Sequence, residues 1–308
     1  MGRSRRGRPV NGWLILDKAQ GITSTSAVSR AKRLLDARKA GHGGTLDPLA
    51  TGLLPIAFGE ATKTVSHVMD GTKSYRFTLR WGVATDTDDA EGAAIGCSGV
   101  RPDAAGVERA LAAFRGRIEQ VPPKYSAIKV AGERAYDLAR ADRAVELSSR
   151  EIDIFDIRLA GMPDADHADF AVTSGKGAYM RALARDIAQA VGTLGHITAL
   201  RRTAVGPFTE RDAISLDELE SFGLIAAREE KLLAVETALD DIPALVVTES
   251  EAALLRNGRA VSLLAKVDLQ RIAGLDQGET VLARTRAKPV ALVRYAAGEV
   301  KPLRVLYL

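Results

Sequence analysis

One carboxylate stands out in the segment GHGGTLDPLATG at residues 41–52. Asp47 lies between glycines and directly before Pro48, and these residue types indicate a loop. Aspartate before proline is also a common turn former, so a structural role for Asp47 is one alternative. The chemical alternatives are a metal ligand, a general base and a nucleophile.

The surrounding sequence favours a carboxylate that acts without a metal. The chain contains 4 histidines, of which only His42 is near Asp47, and no pair of them has the spacing of metal ligands. A GxSxG motif is also absent. A lone carboxylate in a cleft needs a neighbouring cation to stay ionised. Arg181, in the first turns of a predicted helix over 178–191, is a candidate for that cation, with an exposed helix arginine as the alternative.

Several lysines occur where predicted strands, helices or turns end. Cations placed around one cleft in this way suit a phosphate backbone, although each alone could be a solvated side chain. Tyr75 and Tyr179 fall within the same part of the sequence, and aromatic rings among cations are typical of nucleic-acid binding. The lysines are Lys18, Lys63, Lys73, Lys129 and Lys176.

Hydrophobic periodicity predicts the elements that position these residues. Lys73–Trp81 alternates as a strand does, with Tyr75 on its apolar face. Helices are expected from Ser24 or Thr23 to about Ala40, within 59–69, and over 102–115, 133–142, 178–191 and 249–256. Further strands are expected over 12–18, 121–130, 152–159, 169–173, 196–205, 280–284, 289–295 and 302–307.

The length of 308 residues suggests two domains after a basic arm. Residues 1–10 carry four arginines without an apolar pattern and are predicted to be disordered. Residues 11–242 mix strands and helices irregularly, which favours an α+β fold with a mixed, largely antiparallel sheet. Residues 243–308 form a small, mostly β module. The single cysteine, Cys97, and the lack of a membrane-length apolar run lead us to expect a soluble cytoplasmic protein.

Six motifs, in order along residues 11–215, resemble the bacterial tRNA pseudouridine synthase B family. They are GWLILDKAQGITS, AGHGGTLDPLATGLLPIAFGEATK, KSYRFTLRWGVATDTDDAEG, PPKYSAIK, SGKGAYMRALARDIA and LRRTAVGPF. The resemblance implies the pseudouridine-synthase fold with a central cleft, and a C-terminal module similar to a PUA-type RNA-binding domain. It also implies isomerisation of uridine to pseudouridine in the T-loop of tRNA, at position 55, without metal or organic cofactor.

The resemblance also assigns roles to individual residues. Asp47 matches the catalytic aspartate, Arg181 the arginine that pairs with it, and Tyr75 the aromatic residue that stacks on the flipped uracil and serves as a possible base. Tyr179 and Leu200 match other walls of the pocket, and His42 matches a residue that fills the gap left by extruded nucleotides. Lys18, Lys63 and Lys129 are expected to contact the substrate. We expect a monomer that binds the T-arm without an obligatory protein partner.

The sequence leaves three questions open. Asp47 could attack the sugar or the base, or remove a ribose C2′ proton. The protein could bind and refold tRNA without significant catalysis, or it could belong with the relatives that work inside guide-RNA particles; the compact length favours the stand-alone type. Many relatives have aspartate where Glu91 stands, so a specific contact from Glu91 is not expected.

Overall fold

The protein contains one large mixed sheet and a smaller second sheet. The structure is a computed structural model that describes residues 7–126, 147–265 and 268–308, together with the backbone of residues 129–130 and 133–134. The strands of the first part are β1 (Gly12–Lys18), β2 (Ala40–His42), β3 (Thr51–Phe58), β4 (Lys73–Trp81), β5 (Val83–Thr85), β6 (Ala94–Cys97), β7 (Gly116–Gln120), β8 (Lys129–Val130), β9 (Glu133–Arg134), β10 (Arg150–Asp164), β11 (His167–Ser174), β12 (Gly195–Val205), β13 (Phe208–Thr209) and β14 (Ala213–Ile214).

The large sheet has the order β14-β1-β3-β12-β4-β11-β10-β7, with β2 paired to β3 and β13 to β12. Its neighbouring strands are antiparallel except for the pairs β1–β14 and β3–β12. The predicted mixed, largely antiparallel sheet is therefore confirmed. The parallel β3–β12 pair is short, joining Thr51 and Gly52 to Arg201 and Arg202.

Helices lie on both faces of this sheet. They are α1 (Ser24–Leu34), α2 (Val65–Asp70), α3 (Ala104–Leu111), α4 (Met180–Ala190), α5 (Leu216–Ser221) and α6 (Ile225–Glu229), with short 3₁₀ helices at Gly59–Lys63, Ala112–Phe114, Glu210–Asp212 and Val235–Leu239. Apolar side chains of α1, α3 and α4 share a buried core with alternate residues of the strands, including Phe77 and Leu79. The strand pattern predicted for Lys73–Trp81 is thus confirmed.

The position of β1 between two hydrophobic cores explains why its sequence is apolar throughout. Leu14 and Leu16 point into the helix-covered core, whereas Trp13 and Ile15 point into a second core on the other side of the sheet. Because both faces are covered, an uninterrupted apolar run is needed instead of an alternating one. Leu306, near the C-terminus, belongs to that second core.

The C-terminal module forms a five-stranded sheet. Its elements are β15 (Ala244–Val246), α7 (Glu249–Arg256), β16 (Val261–Ser262), β17 (Thr280–Arg284), β18 (Pro289–Ala296) and β19 (Glu299–Val305), with the strand order β15-β17-β18-β19-β16. One side has its own core, and Leu282, Leu292 and Leu306 also pack in the core shared with Trp13. In the described part of the chain, no helix is long and apolar enough to cross a membrane.

The first predicted helix is shorter than expected. It ends at Leu34 instead of near Ala40, because the chain turns at Asp36, whose φ is +45°, and then enters β2. The Arg8 amide donates to the Asp36 carbonyl, and the Arg38 amide donates to the Arg8 carbonyl. This part of the predicted disordered arm is therefore bound to the fold, whereas residues 1–6 lie outside the described residues.

Two predictions around residues 121–142 are wrong where the structure describes them. The predicted strand over 121–130 is irregular through Ser126 and becomes a strand only at β8. Glu133–Arg134, predicted as the start of a helix, pairs with β8 as the strand β9. The rest of that predicted helix lies outside the described residues.

Candidate active site around Asp47

The loop that carries Asp47 joins β2 to β3 and is fixed on both sides of the carboxylate. The Ser24 hydroxyl accepts a hydrogen bond from the Leu46 amide at 2.8 Å and donates one to the Leu46 carbonyl at 2.9 Å. After Asp47, the Ala50 amide donates to the Asp47 carbonyl and closes a turn. The Asp47 side chain keeps 36% of its surface exposed, so the carboxylate is held in place yet reachable from solvent.

Arg181 contacts the Asp47 carboxylate directly. Its Nε donates to Oδ2 of Asp47 at 2.8 Å, and its two terminal nitrogens donate to the carbonyls of Thr87 and Tyr125 at 2.9 and 2.8 Å. The Arg181 side chain is only 5% exposed. All three nitrogens of the guanidinium are therefore occupied, and its orientation toward Asp47 is set by backbone oxygens that do not titrate.

A second buried carboxylate lies beside the same guanidinium. Oδ2 of Asp89 is 3.5 Å from Nε of Arg181, and Oδ1 of Asp89 accepts from the Thr87 hydroxyl and the Glu91 amide. The sequence contains Asp89 within the motif KSYRFTLRWGVATDTDDAEG, and the spacing of that motif gives no signal that Asp89 faces Arg181. Burial, followed by the charges of Asp89 and Asp47, raises the pKa of Glu91.

Arg202 is a further residue near this site that the sequence did not predict. It lies on β12, is 2% exposed, and donates to the carbonyls of Leu53, Gly44 and Thr45 at 2.7, 3.0 and 3.5 Å. Two of these carbonyls belong to the loop that carries Asp47. Burial lowers the pKa of Arg202, while interaction with Tyr75 and the charge of Asp47 favour its cationic form.

Tyr75, Leu200 and Tyr179 come from three elements. Tyr75 on β4 stands opposite Arg202, and Leu200 on the same part of β12 stands opposite Phe77. Tyr179 precedes α4, where its backbone exchanges two hydrogen bonds with the Gln120 side chain at 2.9 and 3.1 Å. Burial and then the charge of Asp47 raise the pKa of Tyr179, which places its phenol in the field of the carboxylate.

The ring of His42 is half-buried on β2, opposite Ile56. Its Nδ1 is buried without a hydrogen-bond partner among the described residues. Burial and the charge of Arg202 lower the pKa of His42, so the ring is neutral near pH 7. A neutral flat ring fits the expected role of stacking where a nucleotide has left.

The two predicted lysine contacts that the structure describes have other partners. Nζ of Lys18 is buried and donates to the carbonyls of Ala19, Ile22 and Pro48. Its bond to Pro48 helps to hold the Asp47 loop in place. Burial lowers the pKa of Lys18 to about 8. A direct contact with phosphate does not fit this burial.

Lys63 is bound to the C-terminal module. Its Nζ donates to Glu60 at 2.6 Å and to the Val305 carbonyl at 2.8 Å, and it lies 4.9 Å from the centre of the Tyr307 ring. The structure therefore shows Lys63 as a link between the two parts of the protein instead of a free cation. The side chain of Lys129 lies outside the described residues.

A cavity of about 560 Å³ is lined mainly by residues of β4, β10, β11 and β12, among them Phe77 and Leu200. Leu49 and Thr51, which follow Asp47 in the chain, line it as well, whereas Asp47 itself does not. Its arginines are Arg76, Arg158 and Arg201; the carboxylate of Asp169 lines it as well, and Arg201 is paired with Asp17 and Glu210. The charges cancel, so this cavity offers no net attraction to a polyanion. Among the described residues, no group of three or more histidine, cysteine or acidic side chains could hold a metal.

Comparison with known proteins identifies the family. The model described as TruB family pseudouridylate synthase (N terminal domain) matches residues 32–180, and the model of the tRNA pseudouridylate synthase B C-terminal domain matches residues 181–242. A protein of Rhodospirillum rubrum named tRNA pseudouridine synthase B is 58% identical over 308 residues, covering 100% of both chains. One of the same name from Gluconacetobacter diazotrophicus is 59% identical over 307 residues, covering 99% of this chain and 100% of the relative.

Solved structures give the same fold. A chain of a Cbf5-Nop10-Gar1 complex has a TM-score of 0.71 at 27% identity, covering 92% of this chain and 78% of that one. A chain of an H/ACA RNP bound to a substrate RNA has a TM-score of 0.74 at 22% identity, covering 100% and 92%. The fold and the matched sequence thus define a pseudouridylate synthase. Within that class, the chain belongs to the TruB family, whose relatives at more than half identity are named tRNA pseudouridine synthase B.

Proposed function

We propose that the protein isomerises the uridine at position 55 in the T-loop of tRNA to pseudouridine, with Asp47 as the catalytic carboxylate. The observation that carries the proposal is the 2.8 Å contact between Arg181 and Asp47. It occurs in a chain that belongs to a pseudouridylate synthase family and is 58% identical to a protein named tRNA pseudouridine synthase B. The reaction produces an isomer, so it needs no energy source.

The contacts of Asp47 suit a group that must be charged and still able to react. A neighbouring cation favours the ionised form of a carboxylate, and Arg181 supplies that cation through Nε to only one of the two carboxylate oxygens. The partly exposed carboxylate is left to act on the substrate. In the proposed reaction the N-glycosidic bond breaks, the uracil rotates, and the base rejoins the ribose through C5. Attack by Asp47 on the sugar or base and removal of the C2′ proton both remain compatible with this geometry.

The reaction requires the uridine to leave the folded T-loop, which costs a few kcal/mol. Tyr75 is proposed to stack on the flipped uracil, with Tyr179 and Leu200 as further walls of the pocket. His42 is proposed to stack in the space that the uridine leaves, which its neutral ring allows. These interactions offset the cost of unstacking.

We further propose that the protein acts as a monomer in the cytoplasm, where it binds the T-arm without an obligatory protein partner. Residues 243–308, a β-rich module, are proposed to act as the PUA-like RNA-binding domain, and residues 11–242 as the catalytic domain. The five-stranded sheet of the module and its own core support this division.

The test is to incubate unmodified tRNA with the pure protein and to map pseudouridine chemically along the RNA. We expect one new pseudouridine, in the T-loop, and none with Asp47→Asn. A protein that binds the tRNA tightly and forms no pseudouridine would instead be a tRNA-binding or refolding protein. Product at other uridines would keep the enzyme and contradict the proposed position.

A further inference from the structure

Arg202 makes a set of contacts that its burial alone does not explain. Its guanidinium is 2% exposed and joins three backbone carbonyls from two segments, Gly44 and Thr45 in the Asp47 loop and Leu53 in β3. Tyr75 stands directly opposite Arg202 in the pairing of β4 with β12, and it favours the cationic form of Arg202. Arg202 therefore contacts the loop that carries the proposed catalytic carboxylate and lies opposite the proposed stacking residue.

No carboxylate among the described residues forms an ion pair with Arg202, in contrast to Arg181. A buried cation without a direct counter-ion is costly, because its desolvation is not offset by an opposite charge. The carboxylate whose charge favours the cationic form of Arg202 is that of Asp47. An arginine held at this cost points to a requirement other than stability.

We propose that Arg202 is a positioning residue that holds the Asp47 loop and Tyr75 in one fixed arrangement for the isomerisation; this inference rests on the proposed function. Arginine suits the role because its planar fork carries five N–H donors in fixed directions, whereas a lysine ammonium is a single point. Here the guanidinium donates to carbonyl oxygens in separate segments, so rotating it would break several hydrogen bonds at once.

Two glycines lie beside Arg202, one next to its guanidinium and one next to its backbone. Gly44 has a φ of +125°, and a Cβ atom at that position would lie 3.5 Å from a terminal nitrogen of Arg202. Gly52, with a φ of +93°, passes so close to the Arg202 backbone that a Cβ would lie 2.2 Å from its carbonyl oxygen. Only glycine adopts such conformations without strain, so the contact is built from both sides.

The experiment compares Arg202→Lys with Arg201→Lys. Arg201 is the neighbouring residue on β12, but it pairs with Asp17 and Glu210 on the other face of the sheet. With enzyme in excess over unmodified tRNA, we expect Arg202→Lys to lower the single-turnover rate by about 100-fold, the size of effect that a 1 Å misplacement can cause. We expect its Kd for tRNA to stay within about twofold, because binding rests on many phosphate contacts. Arg201→Lys should change neither quantity.

A second readout separates positioning from a general loss of stability. The rate effect of Arg202→Lys should be much smaller in a Tyr75→Phe background than in the wild-type background, because groups that act as a unit are not additive. If the two effects multiply in full, or if Arg202→Lys keeps the wild-type rate, the inference is overturned. Should Arg202→Lys fail to fold, Gly44→Ala disturbs the same anchor from the loop side, and a wild-type rate there would refute the proposal. Absence of product with the wild-type protein would instead refute the proposed function.

Discussion

The Asp47 loop is held by two regions of the molecule that use cations in different ways. On the helical side, Arg181 of α4 contacts the carboxylate itself. On the sheet side, Arg202 of β12 and Lys18 of β1 contact backbone carbonyls of the loop and leave the carboxylate alone. The first region sets the charge of the site, and the second sets the position of the atoms that carry it.

The two regions also differ in how well the charge of each buried cation is compensated. Arg181 lies between the carboxylates of Asp47 and Asp89, so its buried charge is matched. Burial lowers the pKa of Arg202 and of Lys18, because carbonyl dipoles compensate a buried cation less well than a carboxylate does. Changes on the helical side should therefore act mainly on chemistry, and changes on the sheet side on geometry and stability.

The largest effect is expected for Asp47→Asn, which removes the negative charge that Arg181 contacts from the helical side. We expect pseudouridine formation to fall by about 10⁴-fold or more, the upper range for loss of a group that takes part in a chemical step. The Kd for tRNA should change little. Product formation near the wild-type rate, measured by chemical mapping under single-turnover conditions, would remove Asp47 from the mechanism.

Arg181→Met should have the next largest effect. It removes the direct cation of Asp47 and leaves the Thr87 and Tyr125 carbonyls without their donor. We expect the single-turnover rate to fall by about 10²–10³-fold, the range for removing one preorganised electrostatic group, with a much smaller change in Kd. Arg181→Lys, which keeps the charge, should recover part of the rate. A loss confined to Kd would show that Arg181 is a phosphate contact.

Lys18→Met tests the sheet side through the pH dependence of stability. The pKa of Lys18 is about 8 in the folded protein, against 10.5 for a lysine in water, so between these values the unfolded chain binds a proton that the folded protein lacks. The contribution of Lys18 to the free energy of unfolding then rises with pH from 8 to 10.5. Lys18→Met should reduce that slope by about 1.4 kcal/mol per pH unit, the value for one proton.

Urea unfolding at several pH values between about 8 and 10 measures this slope. Lys73→Met is the matched comparison, because burial lowers the pKa of Lys73 to about 8 as well, and Lys73 donates to the carbonyls of Met69 and Gly71 instead of those of the Asp47 loop. We expect the two variants to lose the same slope. An unchanged slope in Lys18→Met would mean that Lys18 does not have the lowered pKa.

The smallest effect is expected for Arg201→Met, on the face of β12 away from the loop. Arg201 is about one-third exposed and pairs with Asp17 and Glu210. Such pairs contribute about 1 kcal/mol or less, so thermal unfolding should shift by only a few degrees. The rate of pseudouridine formation should be unchanged. A rate as low as that of Arg202→Lys would show that the two faces of β12 do not differ in function.

The sequence predicted those features that depend on neighbouring residues along the chain. The apolar run of β1, the alternation of β4 and the periodicity of α4 were sufficient to place these elements, and a lone Asp47 called for a cation. The end of α1 was not predictable, because it depends on how Asp36 meets Arg8 across the fold.

Two site residues with partners other than those predicted, and one that was not predicted, have the same cause. Lys18 and Lys63 stood at the ends of predicted elements, which says nothing about the carbonyls that meet them. Arg202 was missed because Arg201 and Arg202 are chemically identical neighbours, and the sequence does not say which one points inward. The difference arises from pairing with other strands, which is a property of the tertiary structure.

The arginine pair also bears on errors of strand pairing. Strand β12 contains two irregularities, one extra residue between Ile197 and Ala199 and another between Arg202 and Ala204. If Thr198 took a regular place opposite Thr78, the following residues would move by one position and Arg201 would stand opposite Tyr75. Because both residues are arginine, either alignment supplies a guanidinium at that point. The doubled arginine therefore keeps an arginine opposite Tyr75 in either alignment, whereas the same slip would move Leu200 from opposite Phe77 to opposite Arg76.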